Sequence, residues 1–382
     1  MNWDEQAPNE REAGDRSWEV VHAAWAERTR GVHSRAPRRW PLVALVAAVA
    51  IAAAAAFSSP GRAVLGTLKD AVRGEKNAKP ALFSLPAAGR LLVQSDRGIW
   101  VVQRDGSKRL LRGYRDPSWS PHGIYLAALR GNEVRALEPD GAVHWSIARP
   151  GRLASPRWSD ATPPCCRIAY LAGRTLRVVN GNGTGDRLLA ARVLPVAPAW
   201  RPHTHVLAYA DGSGAVRVVD TDTGRRLRIF GPAQPPRGLE WSTDGRTLLV
   251  RGSHTIELFG PDGRHLQPIG PGAASVIDAA LSPSGGNVAL IQQAPVRGGI
   301  RSFLWRYAQL KPDQTRATSV FAGAGRFSDV TWSPDGRWLL LNWTSADQWL
   351  FIRSATVRKV DAVSNIRASF GPHARVAGWC CR

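Results

Sequence analysis

From about residue 90 to the C-terminus, apolar runs only a few residues long alternate with clusters of Gly, Pro, Asp and Ser. That pattern predicts short strands bounded by turns, and no helical period competes with it. The strands also recur on a longer beat. A Trp or Leu, a short polar turn and an apolar strand return at Trp119 (WSPHGIYLAAL), Trp158 (WSDATPPCCRIAYLAG), Trp200 (WRPHTHVLAYAD), Trp241 (WSTDGRTLLVRG), Leu281 (LSPSGGNVALIQ) and Trp332 (WSPDGRWLLLNW). The intervals are 39, 42, 41, 40 and 51 residues. A period of about forty residues is one four-stranded blade of a β-propeller. The fold class expected is therefore all-β.

Each copy divides in the same way. In the Trp241 copy, Gly238 to Trp241 is a short inner strand and Ser242-Thr243-Asp244-Gly245 a tight turn. Thr247 to Val250 and His254 to Phe259 are the next strands, and His265 to Ile269 completes the blade. The Trp ends the inner strand, where a bulky side chain fills the wedge between blades. Residues 90–111 hold strands without such an anchored inner strand, and the C-terminus supplies one ending at Trp379. Pairing the two closes the ring and removes its open sheet edges. Six repeats and one composite make seven blades, with six or eight as alternatives. The long interval after Leu281 places extra sequence at Gln292 to Asp313, as a longer hairpin or loop.

The turn Trp332-Ser333-Pro334-Asp335-Gly336-Arg337 and its variants at Trp119 and Trp241 resemble the TolB-type, WD-like propeller repeat. The resemblance spans roughly residues 85–382. It implies a fold, and it names no ligand or partner.

The chain ahead of the repeats reads differently. Residues 41–57 (PLVALVAAVAIAAAAAF) carry no charge, a length at the lower end of what crosses a bilayer. Trp40, Arg38 and Arg39 sit at one end as interfacial anchors would. The expectation is a single transmembrane helix at 41–57, with a cleaved signal or a soluble helix as alternatives. Residues 58–84 form a stalk, and the propeller occupies 85–382. Residues 1–40 are balanced in charge and contain a short amphipathic helix, with Trp18, Val21 and Trp25 on one face. A single apolar segment before a large domain predicts a single-pass protein of the bacterial cell membrane, its N-terminus cytoplasmic and its propeller extracytoplasmic. This layout resembles membrane-anchored anti-sigma factors and related transmembrane regulators, although residues 1–40 have no zinc-binding His/Cys signature.

The formal charge of +21 falls after residue 40. Of 51 basic residues 45 are Arg, spread without a dense run. A protein partner is expected, with anionic lipid or an acidic wall polymer also open. Export argues against nucleic acid. Cys165-Cys166 and Cys380-Cys381 form two adjacent pairs, two blades apart in the expected register. A disulfide between the pairs, free thiols and a four-thiolate metal site are the readings left open, since adjacent cysteines rarely bond each other.

No catalytic constellation is present: no G-x-S-x-G elbow, no H-E-x-x-H and no P-loop. His122, His203 and His205 read as turn residues rather than ligands, and no cofactor or metal is expected. The function expected is therefore a membrane-anchored, extracytoplasmic propeller that binds a protein or an envelope polymer. One alternative is a transmembrane regulator holding a cytoplasmic partner through Trp18, Val21 and Trp25. The other is a lactonase-like hydrolase using Glu240, Asp278 and Asp329 in the central funnel.

Overall fold

The computed structural model describes residues 84–382, apart from 162–165, 270–273, 309–314, 356–359 and 382. The tail with Trp18, Val21 and Trp25, the apolar run 41–57, the stalk to residue 83 and Cys165 lie outside the described residues. No helix among the described residues is long and apolar enough to cross a membrane.

The described chain folds into seven four-stranded antiparallel sheets, so the blade number is settled at seven. The inner strands are Arg375–Cys380, Arg115–Trp119, Leu153–Trp158, Ala199–Trp200, Gly238–Trp241, Ser275–Leu281 and Phe327–Trp332, for the first to the seventh blade. In the first blade the C-terminal strand pairs with Arg90–Ser95, setting Trp379 opposite Leu91. The ring thus closes by joining its two ends, as the composite repeat implied.

The core lies between the blades. Second strands are the most apolar, as in Leu126–Arg130 and Trp338–Trp343, because both faces of each sheet press on a neighbour. The anchors close these wedges from one end. Trp200, Trp241, Leu281, Trp332 and Trp379 are buried, whereas Trp119 and Trp158 are half-buried. The Trp332 indole also donates from Nε1 to the Ala280 carbonyl at 3.1 Å, and Trp200 donates to Arg157 at 2.8 Å. Both bonds cross to the preceding blade. After each anchor a serine or its equivalent starts the tight turn. At Gly245 and Gly336 that turn takes φ of 65° and 70°, which a glycine adopts without strain.

The cysteines depart from expectation. Cys380 and Cys381 are bonded to each other, not to the pair two blades away. Cys381 has a left-handed φ of 66°, which folds its side chain back beside its neighbour. The two sulfurs rest over the carbonyls of Ser120 and Pro121, on the first turn of the second blade. Cys166 is likewise in a disulfide, at φ 62°.

Candidate interaction face

The strand order gives the ring two faces. One carries the tight turns after the anchors. The other carries the starts of the inner strands together with the hairpins between second and third strands. Backbone hydrogen bonds tie these second-face elements together in one blade after another: Gly173 to Arg152, Arg237 to Arg251, Val276 to Ser253, and Gly325 to Ile300.

On this second face the sixth blade stands apart. Its strands Asn287–Val296 and Gly299–Ala308 are ten residues each, against four in the corresponding strand Leu248–Arg251 of the fifth blade. The inner strand begins at Ser275, opposite Gln293. Three further pairs lie beyond it: Ala294 with Arg301, Pro295 with Ile300, and Val296 with Gly299. At about 3.3 Å per residue the hairpin projects about 10 Å past the inner strand. Residues 292–308 of the expected insertion therefore belong to a β-ribbon, and Pro295 to Gly299 at its tip are exposed. At its base Phe321, Phe327 and Trp343 pack mutually, with ring centroids 5.5 to 5.8 Å apart.

The same face is cationic. Arg97, Arg112, Arg130, Arg152, Arg174 and Arg192 are exposed on it, around the first to third blades. Arg237, Arg297, Arg301, Arg326, Arg367 and Arg375 continue the set around the rest of the ring. Among the described residues the exposed acid on this face is Asp96, which pairs with His373. The opposite face is mixed: Asp105, Asp140, Asp222, Asp244 and Asp262 are exposed among Arg104, Arg225, Arg246 and Arg264. An arginine surplus spread evenly in sequence is thus weighted by the turns toward one side, although Arg316, Arg337 and Arg353 are also exposed on the other.

The carboxylates named for the funnel sit on the inner strands and bracket the blades. Glu240 Oε2 accepts the Leu281 amide at 3.0 Å, and Asp278 Oδ2 accepts the Val330 amide at 3.1 Å. Asp116 does the same for Ser155 at 2.6 Å. Asp329 accepts from Ser328 and from Asn342 Nδ2. Burial pushes the Glu240 carboxyl up to about 8, with the charge of Asp278 adding to it. Burial raises Asp278 to about 6, opposed by Arg251 and reinforced by Asp329. Each of these acids thus has a structural duty to a neighbouring strand or side chain. Among the described residues no group of three or more His, Cys, Asp or Glu is placed to hold a metal ion. His203 and His205 each face a carboxylate of their own, Asp160 and Asp222.

A cleft of about 140 Å³ opens on the mixed face between the sixth and seventh blades. Ser282, Asn287, Arg306 and Asp335 line it. Its charges are balanced, and Asp335 is turned inward to Ser333 and the Arg337 amide.

No protein-family model matches the chain, and no curated protein matches it. Solved propellers do. The chain is similar to Kluyveromyces lactis Hsv2p at 12% identity and a TM-score of 0.53, over 69% of this chain and 89% of that one. It is similar to the Myceliophteria thermophila Cps50 (Swd1) β-propeller domain at 13% identity and a TM-score of 0.52, over 75% and 99%. Kuenenia stuttgartiensis hydrazine synthase aligns at 15% identity and a TM-score of 0.52, over 64% and 78%. At these identities the likeness is one of fold: the chain is a seven-bladed β-propeller.

Proposed function

We propose that this chain is a membrane-anchored, TolB-like propeller that serves as an interaction module, docking a macromolecular partner on its arginine face beside the sixth-blade hairpin. The observation that carries this reading is the coincidence of the projecting ribbon with the cationic face. Projecting loops on a rigid scaffold are where binding residues concentrate. The propeller fold supports a binding role at the coarse level, and the apolar run 41–57 supports anchoring with the ring outside the cell. Binding is favoured over catalysis, because Glu240 and Asp278 are engaged with backbone amides and Asp329 with Ser328 and Asn342. The Trp18, Val21 and Trp25 stripe supports a second reading, in which the tail holds a cytoplasmic protein while the ring senses the envelope.

The test is site-specific photocrosslinking in cells that make the full chain. A photoreactive residue at Val296 or Arg326 is expected to yield a discrete adduct, and one at Asp244 or Asp262 none. Adducts from the mixed face alone would overturn the assignment of the face.

A further inference from the structure

We infer that the segment docked on this face is an acidic polypeptide, rich in Asp and Glu with apolar residues among them. The inference rests on the proposed docking face and names the chemistry of its partner.

Arginines stand on both sides of the ribbon: Arg301 lies with Phe303 and Trp305 on the fifth-blade side, and Arg326 and Arg367 form a track on the seventh-blade side. Ser302 Oγ donates to the Gly325 carbonyl at 2.6 Å, which places Arg326 against the base of the ribbon that carries Arg297 and Arg301. The Arg326 amide donates to Ser345 Oγ at 2.8 Å, and Thr344 Oγ1 donates to the Arg326 carbonyl at 2.9 Å. Arg367 then donates from Nη2 to the Thr344 carbonyl at 2.9 Å. The track therefore runs from the ribbon across the seventh blade to the short helix Ile366–Phe370. Arg367 has a distant, exposed pairing with Asp347 at 3.8 Å, and Arg301 lies over the Phe303 ring. Among the described residues Arg297 and Arg326 have no acidic partner. Guanidinium forks left with free donors match carboxylates in pairs.

Shape separates a peptide from other anions. A flat bilayer meeting this face would touch first the ribbon tip, Pro295 to Gly299, which offers one guanidinium, Arg297. Val296 is the large apolar side chain exposed at that tip, too little for insertion on its own. Single-stranded nucleic acid binds by stacking on open aromatic faces. Here Phe321, Phe327 and Trp343 are packed against one another instead. A flexible chain can follow the step between ribbon and ring, bring carboxylates to the track and set an apolar side chain against Val296. The described chain enters the ring from the other side, with Leu85 bonded to Arg104.

The test is fluorescence anisotropy on the full chain with three probes at about 0.1 M salt, where exposed charges more than about 10 Å apart are screened. The probes are a labelled Glu-rich decapeptide containing two Leu, a thymidine decamer and phosphatidylglycerol vesicles. The expected result is saturable peptide binding that weakens about tenfold or more in R297E/R301E/R326E/R367E, and in R297E/R326E to a lesser degree. The reversal set R246E/R264E/R337E on the mixed face should leave it unchanged. Tighter binding of the oligonucleotide or the vesicles, equal loss in both reversal sets, or no peptide binding by the intact chain would overturn the inference. A crosslink at Val296 without peptide binding would leave the docking face standing and remove the acidic partner, whereas absence of both would remove the two together.

Discussion

The Glu240 carboxylate takes the backbone N–H of Leu281 at 3.0 Å, across the seam between the fifth and sixth blades. Leu281 is itself the anchor of the next blade, so an acid on one inner strand fixes the closing end of another. The bond needs an acceptor and not a charge, and burial keeps the acid protonated to about pH 8.

That arrangement gives a pH dependence with a definite sign. The ordinary carboxyl value is 4.5 and the folded value about 8. Between these pH values the folded chain holds a proton that the unfolded chain has released. Stability from this group therefore falls as pH rises from about 4.5 to about 8, and levels off above. Glu240→Gln keeps the acceptor and removes the titration. Thermal melts should show the variant close to the parent at about pH 5 and progressively more stable than it toward about pH 8.5. A constant difference across that range would rule out the buried proton.

The anchors should not be equivalent. Trp332 is buried and bonded to Ala280, while Trp119 is half-buried with an unbonded Nε1. Trp332→Ala should cost about 3–5 kcal/mol, and Trp119→Ala distinctly less. Denaturant midpoints of the two variants decide it, and equal losses would contradict the packing described.

Closure of the ring depends on its last strand. Leu91 faces Trp379, and without residues 375–382 the first blade presents a bare three-stranded edge. Truncation there should replace the cooperative melt with a broad one and promote association through that edge. A monomeric truncation with an unchanged melt would show that the ring does not need this seam.

Asp186 is a charge centre at the rim of the third blade. It accepts from Tyr170 at 2.6 Å and from Arg177 and Arg149, with its side chain 5% exposed. Those partners hold its carboxyl below the usual range, while burial and the same carboxylate push Tyr170 up to about 12. Asp186→Ala should destabilise by about 3 kcal/mol, because it strands two guanidiniums and a hydroxyl. The parent should lose this contribution as pH falls through the depressed carboxyl value, and the variant should lack that acid limb in its denaturation profile.

The ring was readable from sequence because its markers are local. An anchor, a serine-led turn and a glycine fix one end of each inner strand, and the composite blade follows from the unpaired strands at the two chain ends. The cationic face was not readable. Its arginines are scattered evenly along the chain, and only strand direction assigns each to a side. The long interval after Leu281 flagged extra residues at Gln292 to Asp313. Which of them extend a hairpin depends on the pairing of Ala294 with Arg301, which spacing does not reveal. Asp278 and Asp329 stood out as acids near the funnel. Register shifts between Val276 and Asp278, and between Phe327 and Val330, mark irregularities in these inner strands, and no composition rule announces them. Cys380 and Cys381 differ from expectation for a similar reason, since the left-handed Cys381 is a backbone choice that sequence leaves open.

The most direct measurement is hydrogen exchange of the full chain with and without the partner recovered by crosslinking at Val296. Protection confined to the ribbon at 294–301 and to the track through Arg326, Ser345 and Arg367 is the result this structure predicts. Protection at the turns Ser242 to Arg246 and Ser333 to Arg337, with the ribbon unchanged, would contradict the account.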